Sequence, residues 1–244
     1  MHICVEGFIL SETPYRESSK ILNILTKEYG LIGVIANGAK RPKSPLRSTT
    51  QKFTYAYFTI LYRESKASTL ISADIINHFK NTRNDLKLIS YLTYICDLSY
   101  QVYINTEEIK IYDILKDTLL KLEDGLSPEV LSNIIEIRYL EFLGVGFEPF
   151  ICSNCGNDKA INLDIVTGEK ACSACNGDNV LIDIKVLKLL DMYSKINIST
   201  ITTIKIEDKY TNIINRFLKN YYTNYTGVYI NCKQHLERIL KELE

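Results

Sequence analysis

The sequence predicts an α+β, multidomain protein in which an N-terminal β-barrel precedes a C-terminal helical bundle with an inserted cysteine hairpin. Three observations predict this arrangement. The first eighty residues contain short β-rich runs separated by Gly and Pro, and from about Asn81 the apolar residues repeat at helical spacing. Two C-x-x-C pairs then lie between helical segments. At 244 residues, the chain has room for one large domain or for two to three small ones.

Five short β-rich runs predict the barrel. They lie at residues 3–10, 18–26, 31–36, 52–62 and 69–76. Short strands at close spacing favour a barrel or a sandwich over alternating strands and helices, and five strands in about 80 residues suit a barrel of the OB type. The segment from Asn37 to Thr50 contains two prolines and a glycine, so we expect a loop there.

Helical periodicity predicts six helices after the barrel. The clearest start signal is Ser127-Pro128-Glu129, which supplies a capping hydroxyl, a proline at the first helical position and an acid in the first turn. We therefore predict four parts of the chain: an OB-type nucleic-acid-binding barrel at 1–80, a first helical part at 81–147, a zinc-binding segment at 148–180 and a second helical part at 181–244.

Four cysteines predict the metal site in that segment. Cys152 and Cys155 form one C-x-x-C pair, and Cys172 and Cys175 form another after sixteen intervening residues. This spacing is typical of zinc sites. Four thiolates complete the tetrahedral coordination of Zn²⁺ and leave no open position for water or substrate, so we expect one structural ion. The alternatives are two disulfides, which need an oxidising compartment, or four free thiols.

The chain lacks the signals of export and membrane insertion. Residues 1–6 have neither the basic region nor the apolar region of a signal peptide. No uninterrupted apolar run reaches the length of about 18 residues that indicates a membrane-spanning helix. We therefore expect a cytoplasmic protein with no membrane partner.

The formal net charge is zero, but basic residues cluster within the predicted barrel. Residues 37–63 include six basic and no acidic residues. Such a cluster attracts phosphate groups, and aromatic residues at 53–58 could stack on bases. The predicted nucleic-acid contacts are Lys20, Lys40, Arg41, Lys43, Arg47, Lys52 and Tyr55. The alternatives are a merely solvated loop and aromatic residues that pack one face of a barrel.

Catalytic motifs are absent from the sequence. It contains no phosphate-binding loop, no H-E-x-x-H and no G-x-S-x-G. The three histidines, His2, His78 and His235, are far apart in the sequence. We therefore expect that the protein is not an enzyme.

Several segments resemble the RecO family of DNA repair and recombination mediator proteins. The resemblance spans most of the chain in the right order, and its specific parts are the basic loop and a central motif. The matching segments are Thr13–Leu22, Gly30–Ser44, Arg138–Pro149 followed by Cys152-x-x-Cys155-Gly156, Asp164–Cys172 and Tyr221–Gly227.

The resemblance implies an N-terminal OB fold, a helical domain and a zinc-binding segment. It also implies binding to single- and double-stranded DNA, annealing of complementary strands and loading of recombinase onto strands coated by single-strand-binding protein. The implied partners are RecR and single-strand-binding protein, and the implied location is the cytoplasm in association with the nucleoid. From the residues alone, an RNA-binding OB and zinc protein and a non-catalytic protein adaptor stay open as alternatives.

Overall fold

A computed structural model describes residues 1–64, 66–176, 182–228 and 231–243. The chain forms two compact units, Met1–Lys116 with Leu236–Glu244 and Asp117–His235. The four-part division from the sequence stays a prediction. Residues 177–181 include the predicted border between the zinc-binding segment and the second helical part, and they lie outside the described residues.

The predicted OB-type barrel is confirmed. Five strands close a barrel in the order β1-β2-β3-β5-β4, with antiparallel neighbours except for the parallel pair β3 and β5. The strands are β1 (His2–Tyr15), β2 (Ser19–Thr26), β3 (Gly30–Ala36), β4 (Tyr55–Leu61) and β5 (Ser68–Asn77). Strand β1 extends beyond the predicted residue 10 and includes Pro14, which is tolerated because this end of β1 pairs only with β2.

Strand β1 pairs with two neighbours and so helps to close the barrel. Its first half pairs with β4, its second half pairs with β2, and the register shifts between Ile9 and Ser11. Such a bulge bends a strand and increases its twist, which helps a short sheet to close. The enclosed core is made of aliphatic side chains and one phenylalanine, Phe58, and includes Val5, Leu22, Val34 and Ile60.

The connection between β3 and β4 rests on this core. Ala39 is part of the barrel core, and the partly buried side chain of Leu46 packs against this core. The connection is a series of turns, as expected, except for one helical turn, α1 (Leu46–Thr49). This turn begins directly after Pro45, and proline is compatible with the start of a helix although not with its interior.

The remaining described elements are mostly helices, as predicted. They are α2 (Lys80–Arg83), α3 (Leu86–Thr106), α4 (Ile111–Glu123), α5 (Pro128–Phe142), the hairpin strands β6 (Ala160–Leu163) and β7 (Lys170–Cys172), α6 (Ile184–Lys195), a 3-10 helix (Ile198–Thr200), α7 (Asp208–Tyr225) and α8 (Asn231–Leu243). The predicted cap of α5 is present, because the backbone N–H of Val130 donates to Ser127 Oγ at 3.3 Å. No helix of the described residues is long and apolar enough to cross a membrane.

Helix α5 lies at the centre of the second unit, where it packs against α6 and α7. Its buried Glu136 accepts hydrogen bonds from Lys233 Nζ at 2.6 Å and from Ser132 Oγ at 2.9 Å. The Tyr222 hydroxyl donates to the backbone carbonyl of Glu136 at 2.9 Å. Lys233 is also buried, so this ion pair between two residues of the second unit has little contact with water.

We predict that Lys233→Met lowers the free energy of unfolding by about 3 kcal/mol, because it leaves the Glu136 carboxylate buried without its cation. The double change Glu136→Leu with Lys233→Met should recover most of this loss, since no buried charge remains. Urea unfolding followed by circular dichroism measures both variants. A single variant as stable as the unsubstituted protein would contradict this account of the pair.

Two glycines of β3 provide a matched test of barrel packing. Gly30 has a φ of +61°, and a Cβ atom there would lie 1.8 Å from the Tyr103 hydroxyl oxygen, whereas a Cβ atom at Gly33 meets nothing within 4 Å. We predict that Gly30→Ala destabilises the protein by more than about 1 kcal/mol, while Gly33→Ala has little effect. Thermal unfolding of the two variants checks this, and equal melting temperatures would contradict it.

Candidate nucleic-acid interface and metal centre

A groove on the barrel unit brings four of the predicted basic residues together. Its volume is about 520 Å³, and its lining includes Lys20, Lys40, Arg47 and Lys52. Arg83 also lines the groove, together with one acidic residue, Glu12. The groove is therefore predominantly cationic.

Three parts of the chain build this groove. The hairpin of β1 and β2 supplies Lys20, the connection between β3 and β4 supplies Lys40, Arg47 and Lys52, and helix α2 supplies Arg83. Hydrogen bonds tie the first two parts together. The backbone N–H of Lys40 donates to the Ser18 carbonyl at 2.8 Å, and Lys20 Nζ donates to the Thr50 carbonyl at 3.2 Å.

The four basic residues differ in their electrostatic partners. Lys20 Nζ lies 2.7 Å from the Glu12 carboxylate, and Lys52 Nζ lies 3.0 Å from the Asp97 carboxylate. Lys40 and Arg47 are exposed, and neither has a carboxylate partner within salt-bridge distance among the described residues. Arg41 and Lys43 are exposed on the same connection but do not line the groove.

Arg83 was not predicted from the sequence as a groove residue. Its guanidinium group donates to the His78 carbonyl at 2.7 Å and to the Lys52 carbonyl at 2.6 Å. The same group lies 5.9 Å from the centre of the Phe53 ring, and Lys52 Nζ lies 4.8 Å from that centre. Arg83 therefore holds the end of the basic connection in place, a role that depends on tertiary contacts rather than on a sequence motif.

Tyr55 lies apart from the groove lining. Its ring is 4% exposed and stacks on Phe8 with a centroid distance of 4.2 Å. Its hydroxyl donates to the Glu6 carboxylate, which also accepts from Tyr112 and Lys116 at 2.9 Å each. Burial disfavours the Glu6 anion, but these hydrogen bonds outweigh that effect and lower the pKa of Glu6. The buried Tyr55 ring is not accessible to a base, which leaves the basic residues of the groove as the candidate DNA contacts.

The four predicted metal ligands come together in the second unit. The sulfur atoms of Cys152, Cys155, Cys172 and Cys175 all lie within 4.8 Å of one another, so they could bind a metal ion. All seven cysteines of the chain are among the described residues, and none of them is joined to another by a disulfide bond. Disulfide pairing of the cluster is therefore not observed.

Backbone geometry prepares the cluster for a cation. The N–H of Cys172 donates to the sulfur of Cys152 at 3.4 Å, and backbone hydrogen bonds, first that of Cys172, lower the pKa of Cys152 to about 6. In contrast, hydrogen bonds with the Cys155 and Cys172 thiols raise the pKa of Cys175 to about 12. A bound cation would favour the thiolate form of all four ligands.

The hairpin that carries the cysteines is anchored to helix α7. Three consecutive carbonyl groups at the hairpin tip accept hydrogen bonds from side chains of α7, at 2.9, 3.0 and 2.5 Å. The donors are Asn220, Asn224 and Tyr225, and the acceptors are Ile165, Val166 and Thr167. These hydrogen bonds hold the hairpin tip against α7.

Two family models match consecutive parts of the chain. The family model described as "Recombination protein O N terminal" matches residues 1–79, and "Recombination protein O C terminal" matches residues 83–238. The DNA repair protein RecO of Halalkalibacterium halodurans is 29% identical over 242 residues, which cover 96% of this chain and 94% of the relative.

Two further relatives have the same description. The DNA repair protein RecO of Listeria innocua is 30% identical over 240 residues, covering 95% of this chain and 92% of the relative. That of Exiguobacterium sibiricum is 29% identical over 240 residues, covering 96% of each chain. Since the two family models match the barrel and the helical part in turn, and the relatives align over nearly their whole length, the chain belongs to the RecO family of DNA repair proteins.

Proposed function

We propose that this protein is a non-enzymatic recombination mediator that binds single- and double-stranded DNA and anneals complementary strands. It would also help to load recombinase onto strands coated by single-strand-binding protein. The observation that carries the DNA-binding proposal is the cationic groove, in which the exposed Lys40 and Arg47 lie beside Lys20, Lys52 and Arg83. Membership of the RecO family supports the role in DNA repair.

The chemistry of the groove suits annealing. Cationic side chains that contact phosphates position DNA without reading its sequence, as a protein that acts on any complementary pair requires. Binding of the groove and of the exposed Arg41 and Lys43 to two strands would neutralise phosphates on both. Reduced repulsion between the strands then permits pairing without nucleotide hydrolysis.

The remaining parts of the proposal rest on the family resemblance. We propose RecR and single-strand-binding protein as partners, and a cytoplasmic location in association with the nucleoid. We propose that DNA binds to the barrel at residues 1–80 and that the metal binds in the segment at 148–180.

We propose that the cysteine cluster binds one structural Zn²⁺. For Zn–S bonds of about 2.3 Å, the sulfur atoms of a tetrahedral site are about 3.8 Å apart. The sulfur atoms of Cys155 and Cys172 are 3.8 Å apart, and four thiolates are a ligand set that zinc prefers. All four positions would be filled by protein, so the ion would stabilise the hairpin and not activate water or substrate.

We predict that Lys40→Ala with Arg47→Ala weakens binding to a labelled single-stranded oligonucleotide. The plot of log affinity against log salt should become shallower by about 1.4, because two phosphate contacts are lost at about 0.7 each. Fluorescence anisotropy across a salt series measures this slope. Lys27→Ala with Arg63→Ala removes the same charge from exposed positions outside the groove lining and serves as the control.

Three outcomes would contradict the proposed function. Unchanged binding by the Lys40 and Arg47 variant would refute the groove as the DNA site. Absence of any salt-sensitive binding would favour a protein adaptor, and tighter binding to RNA than to a DNA strand of the same sequence would favour an RNA-binding protein.

We predict that the purified protein contains one zinc ion and that Cys172→Ala removes it. The variant should melt at least about 5 °C lower, which corresponds to about 2 kcal/mol for a chain of this size. Atomic absorption and thermal unfolding measure the two effects. Cys4→Ser, at an exposed cysteine outside the cluster, is the control and should retain the ion. A metal-free protein that melts at the same temperature as the zinc-loaded protein would contradict the structural role.

A further inference from the structure

We infer that Glu12 and Asp97 compete with DNA phosphate for Lys20 and Lys52, and thereby limit how tightly the groove holds DNA. The two carboxylates would act as internal counterions of the groove. This inference rests on the proposed DNA binding and adds the residues that regulate it.

The first internal counterion lies in the groove itself. Glu12 Oε2 is 2.7 Å from Lys20 Nζ, and both residues line the groove. The strand register explains the contact. Pro14 of β1 pairs with Lys20 of β2, and Glu12 lies two residues before Pro14, so its side chain is on the same face of the sheet as that of Lys20. The same ammonium group donates to the Thr50 carbonyl. A phosphate that approaches Lys20 therefore meets a carboxylate and an ammonium group whose charges are already balanced.

The second internal counterion comes from helix α3. Asp97 Oδ1 is 3.0 Å from Lys52 Nζ, and the Lys52 ammonium group also lies over the Phe53 ring. Both side chains are partly exposed, at 29% for Lys52 and 36% for Asp97. A DNA phosphate can therefore reach Lys52. It must then either share the ammonium group with the Asp97 carboxylate or displace that carboxylate.

The groove thus contains two kinds of cation. Lys40 and Arg47 are exposed and lack a carboxylate partner among the described residues, whereas Lys20 and Lys52 are paired. A free cation on the protein releases a counterion from DNA when it contacts a phosphate, and this release drives binding. A paired lysine must first lose its carboxylate, which then repels the phosphate, so it contributes less to affinity.

Weakened binding suits a protein that anneals strands. Such a protein must neutralise both strands during pairing and then release the duplex. Most changes in affinity within one interface alter the dissociation rate. The two carboxylates would therefore speed the release of DNA and allow repeated use of the groove.

The test is the double variant Glu12→Gln with Asp97→Asn, which removes both charges and preserves side-chain shape. We expect tighter binding to a labelled single-stranded oligonucleotide at 50 mM salt. The slope of log affinity against log salt should steepen by about 1.4, since two more lysines contact phosphates at about 0.7 each. A rise from 50 to 200 mM salt should therefore weaken this variant about sevenfold more than the unsubstituted protein.

The control is Glu28→Gln with Asp74→Asn, which makes the same change in net charge at exposed positions outside the groove lining. It should leave the slope unchanged. Equal steepening in the control would overturn the inference, because the effect would then come from net charge alone. Weaker or unchanged binding by the Glu12 and Asp97 variant would also overturn it, because the carboxylates would then orient the lysines or have no effect. Failure of the proposed function is distinguishable, since it would appear as unchanged binding in the Lys40 and Arg47 variant.

Discussion

The closure of the barrel by β3 and β5 determines where the candidate DNA site forms. These strands pair in parallel, and β4 lies on the other side of β5, next to β1. The chain that leaves β3 therefore cannot enter β4 through a short hairpin, and residues 37–54 must travel between strands that are not neighbours. Ala39 and Leu46 attach this connection to the barrel core. Its basic residues consequently remain at the surface, where the β1–β2 hairpin and α2 complete the groove.

Carboxylates neutralise part of the positive charge of the groove. In the proposed DNA site, the exposed Lys40 and Arg47 would attract phosphate, while Glu12 and Asp97 form ion pairs with the neighbouring lysines. The proposed metal centre concerns stability rather than DNA binding, because four thiols within 4.8 Å of one another need a cation to become thiolates together. Hydrogen bonds from α7 hold the tip of the same hairpin. The proposed DNA binding on the barrel and the proposed metal binding in the second unit therefore depend on different parts of the sequence.

Local patterns predicted the features that depend on neighbouring residues, and missed those that depend on tertiary contacts. The strands, the cap at Ser127 and the cysteine cluster follow from periodicity, capping chemistry and spacing. The burial of Tyr55 could not be predicted, because strand alternation does not show that Phe8 and Tyr112 cover the outer face of the barrel at that point. Arg83 and Asp97 join the site from helices whose positions against the barrel no local pattern specifies.

Annealing of two complementary labelled oligonucleotides, both coated with single-strand-binding protein and without nucleotide, tests the central claim most directly. The zinc-loaded protein should accelerate annealing at low salt, and the acceleration should fade as salt rises, because it depends on neutralised phosphates. A folded, zinc-loaded protein that leaves the annealing rate unchanged would contradict the account. Acceleration that is insensitive to salt would contradict the role of the basic groove.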